Sequence, residues 1–270
     1  CYYLSMKKIA ITMGEPGGIG PEVVLKSMDA IKDVCIPVVT GDSSVMEEAS
    51  KVIERPLNLR VISSTDEARA GIVNLIETRA SGKFKKGAPT KDGGMASAAA
   101  IKKALELALE GQVDAVVTAP ISKEALRMAG LKWPGHTEML AELTGTKDYA
   151  MMLVGGGTAP ILRIVLLTIH VALKDVPALI TEDAVSKTIK LAMRACKMLS
   201  IENPRIAVAG LNPHAGESGM FGEEEKTIIT PAIKKERRKG IPVSGPYPPD
   251  TVFYRAIKDE FDMVVCMYHD

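Results

Sequence analysis

The chain has 270 residues, 46% hydrophobic and 25% charged, with a formal net charge of +1. That balance suits a globular core and excludes disorder and fibrous folds. It gives no electrostatic footprint for nucleic acid or a membrane surface, and an aromatic content of 4% leaves no base-stacking platform. The longest apolar stretch, residues 159–173, is interrupted by Arg163 and His170 and is too short and too polar to span a bilayer. The four cysteines, Cys1, Cys35, Cys196 and Cys266, form no C-x-x-C pair, and three of them lie in apolar runs. They read as reduced, buried thiols of a cytoplasmic protein. The start has no signal-peptide anatomy, and Met6 is read as the natural first residue.

The first apolar run, residues 8–13, predicts a buried strand. Gly14-Glu15-Pro16-Gly17-Gly18-Ile19-Gly20 turns it into a helix from about Pro21, and residues 36–40 form a second strand ending at Gly41-Asp42. The glycines and Asp42 resemble a dinucleotide fingerprint, but Val23 stands where its third glycine belongs. A tight turn that simply needs glycines is the other reading. A helix over 45–53, strands over 57–62 and 72–76, and a basic solvated loop over 81–91 (Lys83, Lys85, Lys86) follow. Residues 93–109 have helical periodicity closed by Gly111. A strand over 115–117 leads through Thr118-Ala119-Pro120-Ile121-Ser122-Lys123 into a helix capped by Ser122. Lys123 reads equally as a site group and as an exposed first-turn lysine.

His136 and Thr137 stand at the start of the next helix, where free N–H groups and the dipole favour an anion. Thr137 also reads as an ordinary N-cap. Residues 149–154 and 161–169 predict two strands joined as a hairpin through Gly155-Gly156-Gly157-Thr158. A long helix over 181–199 and a strand over 204–210 come next, then a helix over 223–239 with acids at its start and bases at its end. Residues 243–251 read as a rigid loop into a short helix, and residues 261–267 as the last strand. Alternating strands and helices indicate an α/β protein with a parallel or mixed sheet and helices on both faces. A two-lobed body with a central cleft fits the pattern, taken as one compact unit over 1–270 with interleaved lobes.

Three of the four histidines follow apolar runs: His170, His214 and His269. In open α/β sheets, ligands bind beyond the carboxyl ends of the strands. Taken singly, each histidine suits a loop-end imidazole bonded to backbone. Together, they suit a shared site in which neutral imidazoles hold a catalytic divalent ion with an open position. Asp250, Asp270 and Glu217 are candidates for orienting a ligand or accepting a proton.

The motifs Gly14 to Glu22, Thr118 to Lys123, Gly135 to Glu138, Thr168-Ile169-His170, Gly210-Leu211-Asn212-Pro213-His214-Ala215-Gly216-Glu217, Pro249-Asp250-Thr251 and Met267-Tyr268-His269-Asp270 occur in this order. Across essentially the whole chain they resemble the 4-hydroxythreonine-4-phosphate dehydrogenases of vitamin B6 biosynthesis. The resemblance implies an isocitrate/isopropylmalate dehydrogenase-like fold and a homodimer with the site at its interface. It implies NAD, or NADP in its place, and a divalent metal: zinc first, with magnesium, manganese or cobalt as alternatives. It makes His170, His214 and His269 the metal ligands, contributed by both subunits, and His136 and Thr137 substrate-binding residues. Asp250 matches an acidic position near the metal and is read as the proton acceptor. A further segment beyond Asp270 is implied, supplying a Lys, an Asn and an Arg to the substrate and part of the NAD site.

The expected reaction oxidises a phosphorylated secondary alcohol, with hydride leaving for NAD and loss of the carboxylate afterwards. The product would be 3-amino-2-oxopropyl phosphate. Three other readings remain at this stage. One is a dehydrogenase of 4-phospho-D-threonate or 4-phospho-D-erythronate. Another is a metal-dependent phosphate-ester hydrolase. The last is a truncated, non-catalytic dimer.

Overall fold

A computed structural model describes residues 6–78, 82, 84–156 and 160–269. Its contacts form two compact units, Cys1–Lys147 and Asp148–Asp270. The units follow one another along the chain, where interleaved lobes were expected.

Unit 1 is built on five strands: β1 (Lys7–Thr12), β2 (Cys35–Gly41), β3 (Leu59–Val61), β4 (Val73–Glu77) and β5 (Ala115–Thr118). They pair in the order β3-β4-β2-β1-β5, every pair parallel. Among the described residues, the helices α1 (Gly20–Ile31), α2 (Ser43–Val52), α3 (Lys91–Leu109), α4 (Lys123–Met128) and α5 (His136–Leu143) accompany them. Side chains alternate across a strand. Ile11, Val39 and Leu75 accordingly pack with Val24 of α1 and Met46 of α2. Their neighbours Ala10, Val38 and Ile76 pack with Ala104 and Leu107 of α3. Both faces of the sheet are therefore covered, as a parallel sheet requires. The helix starts follow local chemistry: the side chains of Asp42, Thr90 and Ser122 accept backbone N–H groups at the heads of α2, α3 and α4.

Unit 2 holds β6 (Met152–Gly155), β7 (Leu162–Leu166), β8 (Ile206–Ala209), β9 (Val243–Tyr247) and β10 (Met263–Cys266), in the order β6-β7-β10-β8-β9. β6 runs antiparallel to β7, as the predicted hairpin requires, and the other pairs are parallel. Its helices are α6 (Val176–Leu179), α7 (Glu182–Met198), α8 (Thr230–Arg238) and α9 (Pro249–Ile257). Val185, Ile189, Ala192 and Cys196 form the buried stripe of α7, and they pack with Ile233 of α8 against Val165, Val208 and Val265. Val252 and Ala256 of α9 cover the opposite face, against Leu166, Ala207 and Val264. The protein is thus α/β, with one parallel and one mixed sheet and helices on both faces of each.

Two segments differ from the sequence reading. Residues 243–247, read as loop, form β9 at the edge of the sheet. Pro246 is tolerated there because an edge strand beside a register shift can lack a ladder donor. The helix expected over 223–239 opens with a π-helical turn, Glu225–Ile229, before α8 begins. Cys35, Cys196 and Cys266 are free and buried, as expected. Among the described residues, no helix is long and apolar enough to cross a membrane.

Gly94 is where α3 meets α4: a Cβ there would lie 2.1 Å from the Ala125 carbonyl oxygen. Alanine is the better helix former by about 1 kcal/mol. The clash is with backbone, however, and overpacking costs about 1–3 kcal/mol. Gly94→Ala is therefore expected to lower the free energy of urea unfolding. An unchanged or raised value would show that α4 shifts freely.

Candidate active site

In unit 1, the loops at the C-terminal edge of the sheet are tied together. The Glu15 amide donates to the Pro120 carbonyl at 2.9 Å, and Gly14 takes φ +77° to make that approach. A Cβ on Gly17 or Gly20 would meet the carbonyl oxygen of Lys85 or Met13 at 2.5 Å. The protein's own backbone thus occupies the space these glycines leave. Asp42 is engaged as the cap of α2, accepting from the Ser44 and Val45 amides. Of the two readings of this opening, the structure supports the glycine turn. Glu15, overlooked in the sequence, is 5% exposed. Burial pushes its carboxyl up from the ordinary range, against an opposing hydrogen bond from Ser97. Its Oε1 has no partner.

His136 opens α5, with Gly135 rather than Thr137 in the capping position. Thr137 is instead the second residue of the helix, in the first turn where N–H groups are unpaired. The His136 ring bonds to the backbone of Ala119, and its Nε2 is buried without a partner. Burial lowers its pKa from 6.5, so the ring is neutral at pH 7. A half-buried imidazole with an unused nitrogen, next to free helix N–H groups, can receive a polar or anionic ligand. Lys123 Cε would lie 3.8 Å from a Cβ on Gly135, which brings the lysine stem to the same helix start. A cavity of about 370 Å³ in this unit lies elsewhere. Pro37, Leu57 and Ile72 line it at the N-terminal ends of β2, β3 and β4, away from these loops.

In unit 2, the three histidine-bearing strands are neighbours: β10 lies between β7 and β8, parallel to both. His170, His269 and His214 therefore emerge at one edge of the sheet, all exposed. Pairing continues past the strands. Leu167 N–H donates to the Cys266 carbonyl at 2.9 Å, and the Thr168 hydroxyl donates to the Met267 carbonyl at 2.7 Å. These bonds keep His170 and His269 together, with ring centroids 6.3 Å apart. A small cavity of about 50 Å³ lined by Leu166, Gly210, Pro249 and His269 adjoins them. Asp250 stands exposed in the first turn of α9, where a carboxylate also complements the helix dipole. Asp270, a further candidate, lies outside the described residues.

His214 is presented differently. It starts a run of six residues, His214 to Gly219, all at positive φ. Four of them are not glycine, and a left-handed turn costs on the order of 4–8 kcal/mol for four L-residues. Glu225, which the sequence reading took for a dipole-complementing acid, offsets this. Its Oε1 accepts from the Leu211 and Asn212 amides at 2.7 Å each. Its Oε2 accepts from Asn212 Nδ2 at 3.0 Å. Three bonds to a carboxylate are worth about 5–9 kcal/mol in all, which matches the strain. The sequence did carry a signal: Glu225 lies on the same helical stripe as buried Ile229, Ala232 and Ile233.

The His214 ring lies beside Phe221, centroids 6.3 Å apart. Among the described residues, no three His, Cys, Asp or Glu side chains form a ready metal cage. The structure thus brings His170 and His269 together and puts His214 on the same sheet edge without closing the triad. Two imidazoles on one ion, at Zn–N distances of about 2.0–2.1 Å, have centroids about 5–6 Å apart. The pair at 6.3 Å is wider than that spacing, while its imidazole chemistry fits a divalent ion.

Comparison with known proteins follows from this geometry. The family model described as pyridoxal phosphate biosynthetic protein PdxA matches residues 33–270. The chain belongs to that family. It is 46% identical over 269 residues to the 4-hydroxythreonine-4-phosphate dehydrogenase of Desulfosudis oleivorans, covering 97% of this chain and 78% of that one. It is 44% identical over 272 residues to the D-threonate 4-phosphate dehydrogenase of Cupriavidus necator, covering 97% and 79%. The crystal structure of 4-hydroxythreonine-4-phosphate dehydrogenase from Klebsiella pneumoniae superposes with a TM-score of 0.92 at 40% identity, over 99% of this chain and 82% of that one. The PdxA-family chain is accordingly a dehydrogenase, an oxidoreductase of a pyridoxal phosphate biosynthetic family.

The buried imidazole gives a pH prediction. Folding lowers the His136 pKa, so below pH 6.5 the unfolded chain takes up a proton that the folded chain resists. The stability it carries is intact above pH 6.5 and falls as pH drops from there towards the lowered folded value. Urea unfolding of the wild type should show this loss relative to His136→Gln. Identical pH slopes in the two proteins would overturn the burial account.

Proposed function

We propose that this PdxA-family dehydrogenase oxidises 4-phosphooxy-L-threonine to 2-amino-3-oxo-4-phosphooxybutanoate, which loses carbon dioxide to give 3-amino-2-oxopropyl phosphate. The observation that carries the reading is the adjacency of β7, β10 and β8, which puts three histidines at one sheet edge. His136 and Thr137 bind the substrate phosphate: one offers an unused buried nitrogen, the other a first-turn amide and hydroxyl. A divalent ion, zinc first and magnesium, manganese or cobalt otherwise, would be held by His170, His214 and His269, where it would supply electrophilic polarisation of the substrate's secondary hydroxyl. Asp250 takes the hydroxyl proton, a role suited to an exposed carboxylate at a helix start. NAD, or NADP in its place, supplies the hydride acceptor.

The working form is a homodimer in the cytoplasm. Leu153, Val154 and Ile161 leave apolar surface exposed on the β6–β7 hairpin, which suits a second copy. The buried, free thiols suit a reducing compartment.

A second substrate, D-threonate 4-phosphate, is favoured by the 44% identity to an enzyme named for it. NADH formation from the two phosphorylated acids, side by side with metal supplied, tells the readings apart. His214→Ala should lower the rate on the true substrate by at least about 100-fold, more than the 10–100-fold typical of losing an outer-shell partner. It should also lower the bound metal per chain. Full metal retention in that variant would sink the triad. Phosphate release without NAD would point to hydrolysis.

A further inference from the structure

We infer that Glu225 is a positioning residue that sets the shape of the His214 strap and thereby the strap's capacity to present a metal ligand; the inference rests on the metal reading above. Glu225 is 5% exposed and is the first residue of the π-helical turn, with its carboxylate bonded to the strap. It grips the strap before His214, through the amides of Leu211 and Asn212 at 2.7 Å. After His214 it lies against Gly216, where a Cβ would come within 2.7 Å of Oε2. Gly210 is shaped by the same group: a Cβ there would sit 3.0 Å from Oε1. Asn212 completes the clamp, its Nδ2 donating to Glu224 at 2.8 Å and to Glu225 at 3.0 Å.

One carboxylate therefore binds the residues that lead into a segment whose backbone is left-handed from His214 to Ser218, and it packs against Gly216 within that segment. L-residues do not keep that conformation unaided. An amide side chain at this position offers one acceptor oxygen where the carboxylate offers two, so it can satisfy only part of the clamp. A methyl group satisfies none of it and leaves two backbone N–H groups unpaired.

Cobalt(II) titration of the full chain, read by its visible absorption, tests this in the wild type, Glu225→Gln, Glu225→Ala and His214→Ala. Urea unfolding is run in parallel, and Val185→Ala serves as a control that destabilises unit 2 from its core. Glu225→Ala is expected to weaken cobalt binding about 10–100-fold and to move the spectrum towards that of His214→Ala. Glu225→Gln should fall between Glu225→Ala and the wild type, and Val185→Ala should bind as the wild type does. If Glu225→Ala does not fold, the Gln variant decides. Wild-type affinity and spectrum in the folded Glu225 variants would overturn the inference while leaving the metal reading intact. A wild type that binds no cobalt would overturn both.

Discussion

The parallel pairing of β10 with β7 on one side and β8 on the other is the constraint on which unit 2 depends. A parallel strand can be reached only by a crossover, so its neighbours are set by the whole fold and not by the next turn. Here the last strand of the chain is the one inserted in the middle. That insertion makes the three histidine-bearing strands neighbours and puts their distant histidines at one edge. It also buries β8 and β10 on both faces, which is why they consist of Ile, Ala, Val, Met and Cys with no polar alternation.

Rigidity is distributed unevenly beyond that edge. His170 and His269 leave strands whose hydrogen bonding continues for two more residues, so their separation follows from the sheet. His214 leaves on a strap that no ladder supports. Its left-handed backbone follows two amides bound by a buried carboxylate, and losing an acceptor there would strand two N–H groups. The same sheet edge thus carries two histidines placed by backbone pairing and one on a strap anchored by a side chain. Strain of this kind is kept only where the surroundings over-determine it.

What could be read from the sequence was mainly what is local. The buried runs of β1, β2, β8 and β10 predict strands, and Ser122 predicts a helix start, because the chemistry lies within a few residues. The three histidines were placed correctly at strand ends for the same reason. Their adjacency was an expectation only, since strand order depends on which distant strands pair. Pro246 was misleading: it argues against a strand wherever a ladder donor is needed, and an edge position removes that need. Glu225 went unseen because an acid in the first turn of a helix has an adequate local explanation in the dipole. Its place on the stripe of Ile229, Ala232 and Ile233 is what points to the second role. Asp42 shows the converse, since its place in the dinucleotide-like pattern also has a local explanation as the cap of α2.

The relatives' two names also constrain how substrate choice can work. 4-Phosphooxy-L-threonine and D-threonate 4-phosphate share a phosphate, a carboxylate and a secondary alcohol. They differ at carbon 2, which bears an ammonium in one and a hydroxyl in the other. The roles proposed for His136, Thr137, Asp250 and the three histidines address the shared groups. Those residues can therefore support either reaction without preferring one. Preference must come from whatever meets carbon 2. An ammonium asks for acceptors and gains from a nearby carboxylate, whereas a hydroxyl can donate or accept and gains little from charge. One acidic group near that carbon would favour the amine substrate, and its neutralisation would favour the other. A site built to pair a substrate ammonium rejects the analogue lacking it more strongly than a methylene-sized difference in shape could.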